Sequence, residues 1–325
     1  MAEETAEALW YVGPGRAEIR PEALGALAPG AVRVRTIYSA ISRGTEALVA
    51  AGRVPESEYQ RMRAPFMGGR FPFPVKHGYA SVGVIEAGPE ALLGQTVFAL
   101  HPHQTRFDAP IDATVVVPAD VPPSRAVLAA NMETALNATW DAAPGPSGRI
   151  AVVGAGVVGV LVGFLCARAE NTDVTLVDLD PARAALARDL GLKFALPKHA
   201  PGDCDIVFHA SATAEGLATA LGSAGDEATV VELSWYGAGT VSVPLGGAFH
   251  SRRLKLVSSQ VGKVAPSRRA AFSHRQRLEA ALKLTADPRL DALLAPAVSF
   301  RDLAARIPDI LNPGSGVLCQ LVSYP

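Results

Sequence analysis

Short alternating runs dominate the first third of the chain. Residues 32–38 read Val-Arg-Val-Arg-Thr-Ile-Tyr, with a period of two. Ala80, Val82 and Val84 share one face around Gly83, and residues 97–100 and 113–117 are brief apolar runs near Pro, Gly or Asp. Many short strands between Pro and Gly turns predict a barrel-like β domain over residues 8 to about 123. One helix is expected to interrupt it near residues 56–62. The period then changes. Ala126, Leu128, Ala129, Met132, Leu136 and Trp140 recur at helical spacing, which predicts a helix over residues 124–143. Pro144-Gly-Pro-Ser-Gly148 ends it.

From residue 149 onward, apolar runs at 150–153, 174–178, 206–210 and 229–233 alternate with helical patterns at 156–169, 183–190 and 214–220. That alternation predicts a doubly wound parallel sheet, so the chain reads as α/β. Amphipathic helices follow at 275–285 and 300–311, the second with Pro308 near its end, and a closing strand at 317–322.

The first strand of that sheet runs into Gly154-Ala-Gly156-Val-Val-Gly159, and the second ends in Asp178. This order is the fingerprint of a dinucleotide-binding βαβ unit. Gly154 allows the tight turn, Gly156 lets the backbone approach a pyrophosphate, and Gly159 lets helix and strand pack closely. The helix N-terminus at Val157 and Val158 offers free N–H groups and a positive dipole end to the phosphates. The Asp178 carboxylate would bind the adenosine ribose hydroxyls and repel a 2′-phosphate, so NAD is favoured over NADP. Without a ligand, the same signature would be only a tight strand-to-helix turn. The third and fourth core strands lead to Ser211 and Ser234, at the sheet edge where ligands of doubly wound sheets bind.

Bulk properties narrow the classes. The chain has 325 residues, 49% of them apolar and 19% charged, with a formal net charge of −1, so no general affinity for nucleic acid or anionic membrane is expected. The acidic start Met-Ala-Glu-Glu has no basic and then apolar run, so no secretory leader is expected, and the apolar runs are too short to span a bilayer. Three widely spaced cysteines, Cys166, Cys204 and Cys319, argue against a disulfide framework or a thiolate zinc site, and for a cytoplasmic protein.

A β domain first and a dinucleotide unit mid-chain resembles the medium-chain dehydrogenase/reductase (alcohol dehydrogenase-like) family. Ser42-Arg-Gly-Thr-Glu46, Gly78-Tyr-Ala-Ser-Val-Gly83 and the fingerprint with Asp178 carry the resemblance. It implies a GroES-like β-barrel substrate domain (1–123), a Rossmann NAD-binding domain (124–270), a C-terminal return packing on the first domain (271–325), and an active site in the interdomain cleft. The departures point to the zinc-lacking branch. Where zinc-dependent members carry ligand Cys and His, this chain has Arg43 and Tyr79; no Cys falls near residues 130–133, and the four-Cys structural lobe is missing. Arg carries only donors and cannot ligate zinc. His77, His101 and His103 remain as an alternative zinc set. Ser42–Glu46, Ser234-Trp-Tyr-Gly237 and Phe249-His-Ser-Arg-Arg-Leu254 are similar to bacteriochlorophyllide hydroxyethyl dehydrogenase-like members.

Hydride transfer without a metal needs side chains for the proton and the developing alkoxide. Tyr79 is the candidate acid, set against a role as cleft lining. Arg43 would stabilise an oxyanion or lower the Tyr79 pKa, set against pairing with Glu46 or Glu133. His101, ahead of His103, is a candidate relay, and Glu133 a candidate that can equally be salt-bridged. The resemblance places Thr134 against the nicotinamide and Arg183 on the ribose, the latter set against an exposed helix cation. Trp235 and Tyr236 would stack on a planar substrate or pack as core. Arg252 and Arg253 would bind an anion or make surface salt bridges. The expectation is a zinc-independent NAD(H)-dependent oxidoreductase acting on a small alcohol or carbonyl. The alternatives are an NADPH quinone or enone reductase, and a non-catalytic NAD(H) sensor. A homodimer is expected from the family habit of pairing edge strands, with residues 241–244 near such an edge.

Overall fold

The computed structural model describes residues 4–145 and 148–325, so the extreme N-terminus and residues 146–147 of the predicted helix stop lie outside the described residues. Two compact units form: Met1–Ala130 with Leu282–Pro325, and Asn131–Ala281.

The first unit is built from two mainly antiparallel sheets. The smaller has the order Arg16–Leu24, Glu4–Gly13, Val75–Lys76, Gly68–Gly69. In the larger, Ala31–Ser42 pairs with Ser81–Ala87, Arg106–Pro110 and Cys319–Ser323, all antiparallel. The period-two runs explain this. Val32, Val34, Ile85, Val97, Ala99, Phe107 and Ala109 all point into one buried cluster. The C-terminal segment is held to this unit by more than the ladder. Arg125 is buried and grips Asp291 through two hydrogen bonds, of 2.7 and 2.9 Å.

The helix expected near residues 56–62 is a correction. Only one 3-10 turn forms, at Glu56–Glu58, and no residue from 56 to 62 is buried, so a helix there would have no face to pack. A helix forms earlier instead, at Arg43–Ala50. Gly44 and Thr45 disguise it, because both are poor helix formers. It starts where it does because the Glu46 carboxylate reaches back to accept the Ser42 N–H at 2.9 Å.

The second unit is a six-stranded sheet in which every pairing is parallel. Its spatial order is Lys193–Ala195, Asp173–Val177, Arg149–Val153, Cys204–His209, Ala224–Glu232, Lys255–Ser258. Counted along the chain, that is 3-2-1-4-5-6, the Rossmann order. The helix Val157–Cys166 is buried at eight of its ten positions, which is why its sequence is apolar all round. Before the sheet, the predicted single helix is split into Pro123–Ala126 and Ala129–Ala142. The edges of this sheet are Lys193–Ala195 and Lys255–Ser258, and residues 241–244 themselves form no strand.

Candidate functional site

The glycine turn of the Rossmann unit shows the geometry a dinucleotide needs. Gly154 has φ +105°, and a Cβ there would lie 2.6 Å from the Ser211 nitrogen. At Gly159 a Cβ would lie 1.9 Å from the Gly154 oxygen. Above Gly156 a Cβ would meet nothing within 4 Å, so the open space lies where a pyrophosphate would approach. The helix Val157–Cys166 begins here, and its first N–H groups, at Val157, Val158 and Gly159, have no intrahelical acceptor. The residues present fit a dinucleotide. Asp178, just past Asp173–Val177, accepts the Ala155 N–H at 2.7 Å and the Asp180 N–H at 2.9 Å, which fixes the acid beside the turn. Arg183 opens the next helix and pairs with Asp180 at 3.4 Å.

At the ends of the third and fourth core strands lies a polar cluster that pattern reading missed. His209 and Glu232 are register partners. The His209 Nδ1–H donates to Glu232 at 2.8 Å, and the Ser211 hydroxyl donates to Nε2 at 2.7 Å. Tyr236 donates to the same carboxylate at 3.0 Å, so it packs into this cluster. Ser234 donates its N–H to Glu232 at 2.7 Å, and its hydroxyl accepts the Ala212 N–H at 3.0 Å. Burial alone would raise the Glu232 carboxyl, but the bond and charge of His209, helped by Ser234, bring it below its ordinary value. The available signal was the repeat of a polar residue two positions before each serine, His209 before Ser211 and Glu232 before Ser234.

Glu133 is on Ala129–Ala142, and its carboxylate accepts from Arg277 at 3.0 Å, with both side chains buried. This is the salt bridge that the sequence reading set against a catalytic role for Glu133. Burial raises its pKa, an effect Arg277 partly offsets. Arg277 also donates to Asn137 and to the carbonyls of Lys263 and Val261. Thr134 lies on the same helix as Glu133 and is half-buried. Arg252 pairs with Asp203 at 3.1 Å and Arg253 with Glu227 at 3.3 Å, the surface salt bridges that the sequence reading set against an anion site.

In the first unit, the metal-ligand positions of the resemblance hold a different chemistry. Arg43 donates to the carbonyls of Val317 and Asn312, which anchors the C-terminal segment. It does not lower the Tyr79 phenol: burial, then the charge of Glu46, pushes that group up to about 12, against hydrogen bonds to Ser42 and Thr45. The Glu46 carboxylate has other partners in this unit. It is fully buried and accepts from His103 Nε2 at 3.0 Å and Tyr11 at 2.8 Å. Burial would raise Glu46, but the charge and bond of His103 carry it below its ordinary value. Ser39 donates to His103 Nδ1 at 2.8 Å and accepts from Tyr324 at 2.8 Å, completing a chain of hydrogen bonds. His101, ranked ahead of His103 from sequence, is the opposite: it stacks on Phe107 with centroids 3.8 Å apart and donates to the Pro102 carbonyl. Burial pushes His101 down to about 3 and His77 to about 4, so both are neutral. Among the described residues no group of three or more His, Cys, Asp and Glu is arranged to hold a metal, so His77, His101 and His103 form no such set.

No protein-family model and no curated protein matches the sequence. Solved structures do match in fold. L-idonate 5-dehydrogenase of Escherichia coli K-12 superposes with a TM-score of 0.81 at 13% identity, covering 99% of each chain. The chain has the fold of these dehydrogenases. A candidate zinc-binding dehydrogenase of Sinorhizobium meliloti 1021, bound to NADP, gives 0.78 at 18% identity over 99% of this chain and 100% of that one. An alcohol dehydrogenase of Escherichia coli CFT073, complexed with NADH, gives 0.77 at 15% over 98% and 99%. The first unit is accordingly GroES-like and the second a Rossmann domain.

Proposed function

We propose that this chain is an NAD(H)-dependent, zinc-independent oxidoreductase that moves a hydride between nicotinamide and a small alcohol or carbonyl. The observation that carries the reading is the glycine turn, open above Gly156 and flanked by an Asp178 carboxylate bound to the Ala155 N–H. Val157, Val158 and Gly159 would hold the pyrophosphate and Asp178 the adenosine ribose, with Ser211 and Ser234 at the strand ends beyond. A bound nicotinamide supplies the hydride acceptor or donor. Tyr79, still protonated at neutral pH, donates to the developing alkoxide in the reductive direction. Arg43, at a ligand position of the resemblance, carries only donors and gives them to the carbonyls of Val317 and Asn312, which supports the zinc-independent reading.

Titration with NADH and NADPH tests the cofactor. NADH is expected to bind at least tenfold more tightly; tighter NADPH binding would favour the quinone or enone reductase. Turnover of an alcohol and carbonyl panel by wild type and Tyr79→Phe tests the chemistry. Loss of kcat with NADH affinity kept supports Tyr79, and binding without any turnover favours the sensor. Activity that disappears on chelation and returns with zinc would overturn zinc independence. We also propose a cytoplasmic homodimer. The exposed edge strand Lys255–Ser258 and three free cysteines support this, and among the described residues no helix is long and apolar enough to cross a membrane. Sedimentation analysis at micromolar concentration would show a single species of monomer mass if the dimer is wrong.

A further inference from the structure

The cluster at the strand ends has a geometry that cofactor binding does not require. Ser211, His209 and Glu232 form a linear chain: hydroxyl to imidazole Nε2 at 2.7 Å, imidazole Nδ1 to carboxylate at 2.8 Å. In the neutral imidazole, donation from Nδ1 to Glu232 leaves the lone pair on Nε2, facing the Ser211 hydroxyl. In the same sheet layer the register partner of His209 on the other side is Val153, so apolar residues suit this position. A buried imidazole paired with a half-buried carboxylate there adds little to stability over an apolar replacement.

The surroundings also make room for a reactive hydroxyl. A Cβ at Gly216 would lie 2.0 Å from Ser211 Oγ and 2.9 Å from His209 Nε2, so only glycine leaves the space open. Ala212 follows Ser211 at φ +54°, a left-handed conformation costly for alanine, in a strand-to-helix turn. Ser211 is half-buried, and Thr213, 3.0 Å from its Oγ, caps the helix Ala214–Ser223 by accepting the Gly216 N–H. Tyr236 and the Ser234 N–H hold Glu232 in place, as the orienting acid of a triad must be held.

We infer that Ser211, His209 and Glu232 form a nucleophilic triad able to cleave carboxylic esters, an activity separate from hydride transfer. Ser211 Oγ bonds to the ester carbonyl carbon while its proton passes to His209 Nε2, and Glu232 stabilises the imidazolium. As the carbon–oxygen bond to the leaving alcohol breaks, His209 returns the proton to that oxygen. Water then adds to the acyl carbon, again giving its proton to His209. The acid departs, and Oγ regains its proton. No oxidant or reductant enters.

The test is covalent capture by a fluorophosphonate, in which Oγ bonds to phosphorus and fluoride leaves. Native protein is expected to take up one phosphonyl group, located at Ser211 by peptide mass spectrometry, and to hydrolyse p-nitrophenyl acetate. Ser211→Ala should take up none there and lose the hydrolysis. Glu232→Gln, nearly isosteric, should slow capture by about 10³-fold or more, as for other triads. Thermal melts confirm that each variant is folded, and if His209→Gln fails to fold the Glu232→Gln rate still decides. No capture at Ser211 in folded wild type, or an unchanged rate in Glu232→Gln, overturns the triad. Neither result bears on the hydride reading, which NADH titration tests separately.

Discussion

Two alanine substitutions three residues apart in the glycine turn should have opposite effects. At Gly156, φ is −72° and ψ 177°, angles any residue adopts, and a Cβ would meet nothing within 4 Å. Gly156→Ala loses unfolded-chain entropy, a gain of about 0.4–1 kcal/mol. Alanine is a poorer helix N-cap than glycine by a similar amount, so the two offset and stability should stay within about 1 kcal/mol. The new methyl sits where the pyrophosphate must approach the backbone, so NADH should bind at least tenfold more weakly, about 1.4 kcal/mol. At Gly159 the same methyl would stand 1.9 Å from the Gly154 oxygen and 3.1 Å from its carbon, backbone that cannot swing aside. The turn must move by more than about 1 Å, and overpacking of this kind costs about 1–3 kcal/mol. Gly159→Ala should therefore lower the melting temperature by about 2–12 °C, at roughly 2–4 °C per kcal/mol for a unit of this size. Differential scanning fluorimetry and NADH fluorescence titration read both effects. If Gly156→Ala binds NADH as tightly as wild type, or melts lower than Gly159→Ala, the reasoning fails.

Arg277→Met strands the buried Glu133 carboxylate and should cost about 3–5 kcal/mol in urea unfolding; a loss under 1 kcal/mol would show that Glu133 finds another partner. Asp178→Asn removes the charge that repels a 2′-phosphate and should raise the NADPH-to-NADH affinity ratio at least tenfold, read by titration of both. His77 and His101 stay neutral in the fold, with values near 4 and 3, while the unfolded chain takes up their protons below about 6.5. Stability should therefore fall as pH drops from 6.5 towards 4, by about 1.4 kcal/mol per pH unit for each histidine. His101→Phe should flatten that slope in acid titrations followed by circular dichroism, and an unchanged slope would place the acid sensitivity elsewhere.

The four central strands of the Rossmann sheet were legible because each is an apolar run and each glycine has a steric reason visible in the motif, whereas the short outer strands Lys193–Ala195 and Lys255–Ser258 are lysine-led and largely exposed and were not. Phe300–Leu311 was legible from its stripe of Phe300, Leu303, Ile307 and Ile310, all buried. The helix Arg43–Ala50 was not, because what starts it is a single contact from Glu46 to the Ser42 N–H rather than a periodic pattern. The site followed the same division. Backbone roles at Gly154, Gly156 and Gly159 follow from local spacing. The Glu46–His103 and His209–Glu232 pairs join residues 57 and 23 positions apart, the first brought together by the packing of a helix and a loop and the second by sheet register. Arg43 and Glu133 shared the difficulty: a charge in a promising position is indistinguishable in sequence from one that secures a carbonyl or a distant guanidinium.

The strand Cys319–Ser323 is antiparallel to Ala31–Ser42, with Leu321 opposite Ala40. During synthesis, the GroES-like unit must therefore wait, with an open edge on its central strand, until the segment through Ser323 has left the ribosome. The Rossmann unit is continuous from Asn131 to Ala281 and can fold before that. The older half of the chain matures last, and for that interval the exposed edge of Ala31–Ser42 is where a nascent molecule is most open to pairing with the wrong strand.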